Sequence, residues 1–345
     1  MTRIAMLSAL MLIGAAAGAQ PEHARPLFMD STPLRIRIEA PFRDIAKSRR
    51  DREQFDGLLS YADASGNDMQ LDVKIRIRGK SRVAACSSPP LRLNFKTKQT
   101  EGTLFEGQDK LKLAVLCKSL GRYEDYLAQE FQIYRAYATL TEAAFRVRWV
   151  TVEYVETGKR TSTTEEPAFL IEADWAAAER LGAELLDVES IPLDDLDAKA
   201  TTLLAMFQLI IGNTDYSPRA HPPDDNCCHN VFPMRARSGA IIGIPYDFDQ
   251  AGLIDAEYAL PSERLPIKSV TERRYRGYCA MNDEVAWAVE QLDAHRAEIE
   301  AAFDGPPADE VARRRSLDYL NESYEIINDQ KRLERQIAVC QGTSE

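Results

Sequence analysis

Apolar and polar positions alternate through "LRIRIEA" at residues 34–40, "LDVKIRIRG" from Leu71 and "LRLNFK" from Leu91. That is the period of half-buried strands. Gly, Ser, Asn and Pro punctuate the gaps, so the pattern predicts an antiparallel sheet at the N-terminal end. The period then changes: Leu127, Phe131, Tyr134 and Ala138 recur at helical spacing, with Glu130 at the edge of the stripe. Strand-like runs return at 146–155 and 167–172. Ala200, Leu203, Leu204, Phe207 and Ile210 predict a buried helix stopped by Gly212. Two short strands follow, at 230–234 and 240–245, and charged amphipathic helices run from Glu284 onward. Strands, a helix, more strands and then helices make an α+β chain with two lobes. The expected division is a sheet-rich first lobe over 34–172 and a mainly helical second lobe over 173–345, with a ligand cleft between them.

Charge and the N-terminus narrow the setting. A formal net charge of −11 argues against a partner that is nucleic acid or an anionic membrane surface. Arg3, the apolar run Ile4–Ala17 and the small residues Ala17-Gly18-Ala19 read as a signal peptide over 1–19, followed by a flexible leader over 20–33. An exported protein, periplasmic or extracellular, with no stable membrane span after cleavage, is the expectation. In such a compartment the six cysteines would form disulfides. Adjacent cysteines are poor partners for each other, so Cys227 and Cys228 are expected to reach Cys279 and Cys340, leaving Cys86 with Cys117.

Two aspartates one residue apart, Asp247 and Asp249 in "YDFD", end an apolar run. Paired carboxylates at the end of a buried strand are costly unless a cation sits between them. Asp215 lies upstream in "NTDYS", just past the predicted buried helix, and Asn230 falls between the two acidic motifs. An acid, an amide and an acid pair suit phosphoryl transfer: one carboxylate orients the acceptor hydroxyl, and the amide and the later acids hold Mg²⁺ or Mn²⁺ against ATP.

"RGKS" (78–81), "LAQE" (127–130), "FLIE", "NTD", "HN" and "YDFD" occur in that order, and together they resemble the CotH family of spore-coat protein kinases. "NTD" and "PYD" are also similar to the HipA kinases. The resemblance implies an atypical protein-kinase-like two-lobed fold, with an antiparallel-sheet N-lobe and a mainly helical C-lobe. It implies a kinase transferring phosphate from Mg-ATP to a protein or small-molecule hydroxyl. Carried over by position, Asp215 becomes the catalytic aspartate, and Asn230, Asp247 and Asp249 the metal ligands. Arg78 would approach the phosphates, and Glu130 would hold a strand lysine, with Lys96 preferred and Lys112 its rival. Leu170 to Glu172 would line the adenine. Two departures stand out. Asp215 and Asn230 are separated by a Pro- and Cys-containing excursion, and no Gly-rich phosphate loop precedes the strands. A non-catalytic, disulfide-braced scaffold or pseudokinase of the cell envelope is the alternative.

Overall fold

The protein was analysed as a computed structural model that describes residues 25–79, 81–158, 160–220, 227–304 and 307–342. The expected signal peptide lies outside them. Seven strands, β1 (Leu34–Ala40), β2 (Phe55–Ala62), β3 (Asp68–Ile77), β4 (Leu91–Phe95), β5 (Lys110–Val115), β6 (Val147–Glu156) and β7 (Ser162–Ile171), form a closed barrel in the order β1-β2-β3-β4-β5-β7-β6. Neighbours pair antiparallel except β1 and β6, which run parallel and close the ring with Leu34 opposite Val150 and Ala40 opposite Glu156. Alternation in the sequence becomes the inside and outside of this barrel. Ile36, Ile38, Val73, Ile75, Leu91, Leu93, Leu111, Leu113, Val150 and Val152 fill the interior. Arg76, Arg92 and Lys112, at the intervening positions, stand on the outer face.

This closure corrects the expected architecture. The first part of the chain is a closed mixed barrel, not the open antiparallel sheet of a two-lobed kinase-like fold. The alternation of β1, β3 and β4 is readable locally, but the β1–β6 pair joins segments more than a hundred residues apart, and no local period encodes it. Residues 25–33, expected as a loose leader, pack on the barrel. Leu27 is fully buried, Arg148 donates to the carbonyls of Leu27 and Thr32, and Arg25 stacks on Trp175.

The helix Gly121–Leu140 packs between the barrel and the C-terminal helices. Leu127, Phe131 and Tyr134 share one core with Phe169 and Ile171 of β7, with Phe207 of the helix Ala198–Ile210, and with Ile299 and Leu320 further on. A small sheet, ordered β10-β9-β8, completes this region, with β8 at Glu184–Leu185, β9 at Val231–Arg235 and β10 at Ile241–Pro245. Its β9–β10 hairpin carries Asn230 at its entry and Asp247 at its exit. Among the described residues, no helix is long and apolar enough to cross a membrane.

Cys86 pairs with Cys117, as expected. The other expected pairing is corrected: Cys227 bonds Cys228, and Cys279 bonds Cys340. Tyr278 bridges to Gln341, and the Cys279 N–H donates to the Gln341 carbonyl. That contact puts the Cys279 and Cys340 Cα atoms 5.1 Å apart and leaves neither for the adjacent pair. Three disulfides suit an oxidising compartment.

Candidate functional site

The chain turns four times into one cleft of ≈ 910 Å³, whose wall includes Arg78, Asp215, Asn230, Asp247 and Asp249. The helix Ala198–Ile210 ends in Gly212, whose φ of 66° only glycine adopts easily. A Cβ there would run into the Tyr319 hydroxyl. From this turn the chain enters Asn213-Thr214-Asp215, with the Asn213 side chain accepting from the Asp215 N–H at 3.0 Å. Asn230 and Asp247 sit at the two ends of the β9–β10 hairpin, and both have left-handed backbones, with φ of 52° and 61°. Such conformations are tolerated by Asn and Asp and concentrate where a side chain must be aimed. The Asp247 N–H donates to the Tyr134 hydroxyl oxygen at 2.9 Å, so the Gly121–Leu140 helix fixes the aspartate's backbone.

The same helix fixes its side chain through a residue the sequence reading passed over. Arg82, in the short helix Ser81–Ala85, donates twice to Glu130 at 2.9 and 3.0 Å and once to Asp247 at 2.5 Å, and its Nε lies 3.2 Å from an Asp249 oxygen. The Asp249 contact is an ion pair and not a well-directed hydrogen bond, because the same oxygen, Oδ2, has no hydrogen-bond partner. One buried guanidinium thus serves two buried carboxylates, Glu130 and Asp249, and the half-buried carboxylate of Asp247 at the cleft wall. Burial pushes the Glu130 carboxyl up, and Arg82 only partly offsets it. Burial also opposes ionisation of Asp247, but Arg82 and then Arg78 outweigh it and hold that carboxyl below its ordinary range. Asp249 is driven well above the ordinary range, by burial first and by neighbouring Asp247 against the pull of Arg82. Two acids of one motif are therefore pushed in opposite directions, Asp247 towards the ionised form and Asp249 against it, a strain that a cation between them would relieve.

Across the cleft, Asp215 is held by the hairpin. The Asn230 amide donates to the Asp215 carbonyl at 2.8 Å and to its carboxylate at 2.9 Å, and His229 Nε2 lies 2.7 Å from the other carboxylate oxygen. The vicinal cysteines Cys227 and Cys228 line the cleft just before this pair.

The remaining expected residues scatter. Lys96 is exposed at the end of β4 and is not the partner of Glu130. Lys112 is not either: its ammonium is enclosed by Phe145, Phe232 and Tyr246, at 5.1, 4.3 and 5.3 Å from the ring centres. Burial, then Arg78, pulls the Lys112 amine down to about 7. Glu172 is buried outside the cleft lining, held by Arg180 at 2.8 and 3.0 Å and by the Arg146 N–H. Leu170 points into the barrel core and Ile171 into the helical core, so the expected adenine-lining segment faces no cleft. The apolar side of the cleft is instead made by Leu185, Leu186, Val231, Phe232 and Tyr246.

No family model matches the chain, and no curated protein matches it either. The functional reading therefore rests on the cleft's own chemistry.

Proposed function

We propose that the cleft transfers a phosphoryl group from a metal-bound nucleotide to a hydroxyl on a protein or small molecule, in an exported protein that works in the periplasm or outside the cell. The supporting observation is convergence: Asp215, Asn230, Asp247 and Asp249, from segments either side of a hairpin, meet Arg78 in one cleft. The motif likeness to CotH kinases is consistent with this activity, though not with the fold it implied. Among the described residues no three His, Cys, Asp or Glu side chains are set to hold a metal by themselves. Magnesium, however, keeps few protein ligands and takes the rest from phosphate and water. The Asp247 carboxylate, an Asp249 oxygen without a hydrogen-bond partner and the Asn230 amide oxygen fit that donor set. A bound metal-nucleotide would supply the electrophilic phosphorus and neutralise its developing charge. Asp215, steadied by Asn230 and His229, orients the acceptor hydroxyl and takes its proton. Arg78 steadies phosphate oxygens, a task suited to a forked guanidinium.

One observation favours a second reading. Arg82 already occupies an Asp247 oxygen at 2.5 Å, an arrangement that would also serve a non-catalytic scaffold whose carboxylates are neutralised from within. Melting with Mg²⁺ or Mn²⁺ plus ATP, followed by labelled-ATP transfer assays, separates the two. The enzyme reading expects stabilisation by metal and ATP together, lost in Asp247→Asn. It expects Asp215→Asn to bind but not transfer. Absence of metal-ATP stabilisation in the wild type would establish the scaffold instead.

A further inference from the structure

We infer that the outer face of the barrel beside the cleft carries a site for a phosphate-class oxyanion, formed by Arg76, Arg92 and Lys112 with Arg78 at its open end. Arg76 stands directly opposite Arg92 across β3–β4, and Arg92 directly opposite Lys112 across β4–β5. Like charges in register on one face repel, and sheets ordinarily set acids between them. Here, among the described residues, none of the four cations forms an ion pair, and the carboxylates felt by Arg92 are those of Asp174 and Asp109. The Nε atoms of Arg76 and Arg92 and the Nζ of Lys112 are buried with no hydrogen-bond partner, and Lys112 is 3% exposed. Buried donors almost always find an acceptor. Lys112 Nζ faces three aromatic rings, but the Nε donors of Arg76 and Arg92 have no hydrogen-bond partner, and their pairing in register marks the place where a ligand supplies oxygens.

The number of donors decides the class. Three arginine forks, with the Lys112 amine behind them, exceed what the two oxygens of a carboxylate can accept, whereas a phosphate offers at least three acceptor oxygens and up to two negative charges, and suits such forks. Arg78 and Asp174 line the cleft, so the anion enters from there. The site does not depend on the phosphotransfer reading, because nothing in the row requires metal or a nucleotide.

The test uses the whole chain in EDTA with inorganic pyrophosphate as the probe. Wild type should be stabilised at submillimolar pyrophosphate, with affinity at least tenfold weaker in Arg92→Gln and in Arg76→Gln. In the absence of anion, Arg92→Gln should melt no lower than wild type, because it relieves repulsion. Asp247→Asn, which abolishes metal-dependent ATP binding under the phosphotransfer reading, should not lose pyrophosphate. No stabilisation at millimolar pyrophosphate, equal affinity in the arginine variants, or a lower melting point of anion-free Arg92→Gln would each overturn the site. Two sources of the anion are separated by metal-free ADP and glycerol phosphate. Tighter ADP binding, lost in Arg92→Gln, assigns the row to the nucleotide's phosphates. The reverse order assigns it to a phosphorylated acceptor.

Discussion

Arg82 binds Glu130 with two parallel hydrogen bonds while reaching Asp247 and Asp249, a geometry that only a planar fork with several donors satisfies. Arg82→Lys should therefore behave nearly as badly as Arg82→Met. Removing the charge strands buried carboxylates and should cost on the order of 3–5 kcal/mol, read by urea denaturation; a loss under about 1 kcal/mol would refute the clamp. Gly212→Ala should lose about 1–2 kcal/mol from the left-handed backbone alone, and more from the collision with Tyr319. Lys112 gives a pH signature. Its folded amine, at about 7, lies below the ordinary 10.5, so it contributes stability above pH 10.5 that is lost as pH falls towards 7. The groups around it are Arg78, Arg92, Asp174 and Asp247 with the three aromatic rings. Relative to Lys112→Met, wild type should thus weaken by a few kcal/mol between pH 10 and pH 7, at about 1.4 kcal/mol per pKa unit. A pH-independent difference in melting would count against the buried amine. At this scale the meeting of Asp215, Asn230, Asp247 and Asp249 in one cleft was legible, the acids because carboxylates after apolar runs are expensive and so conspicuous, Asn230 through its place between the acidic motifs. Arg82 was not: "SRVAACSSPP" carries no period, and only the fold brings it under Glu130.

Individual strands and helices were legible wherever alternation or helical spacing was clean, as in β1, β3, β4 and the Ala198–Ile210 helix. β2, "FDGLLSYA", hid because its burial does not alternate cleanly. β5 entered only through Lys112 as a rival strand lysine, and its bounds were not legible because Lys112 is buried on the outer face, where a charge reads as solvent-facing. The short element carrying Arg82 depends on its anchors. Arg49 donates to the carbonyls of Val83, Cys86 and Ser87, and the Cys86–Cys117 bridge ties its end to the strand region after β5. Closing a loop with a sequence separation of 31 restrains the unfolded chain by about 3–4 kcal/mol. Changing both cysteines to serine should lower the melting temperature. Because the bridge sits four residues from Arg82, the same change should also weaken metal-nucleotide binding. Unaltered nucleotide affinity in a destabilised double mutant would show that the bridge braces the barrel alone.

For the molecule as a whole, closure into a barrel leaves no free strand edge in the larger sheet, so that sheet offers no template for edge-to-edge association. The parallel β1–β6 pair that achieves this also sets an order in time. As the chain emerges from its N-terminal end, β1 can find β2 at once, through a short connection. Its other edge must wait until Val150 to Glu156 has appeared, and long-range pairing of this kind is slow because the intervening loop must be ordered first. A chain stopped near residue 145 should therefore hold an open, sticky sheet, while one extended past residue 171 should resist protease as a closed unit. Protection arising already at the shorter length would mean that the strands settle independently of the seam. The seam is thus a clock as well as a joint, since for the first hundred and more residues of its life the barrel exists only as an unprotected edge.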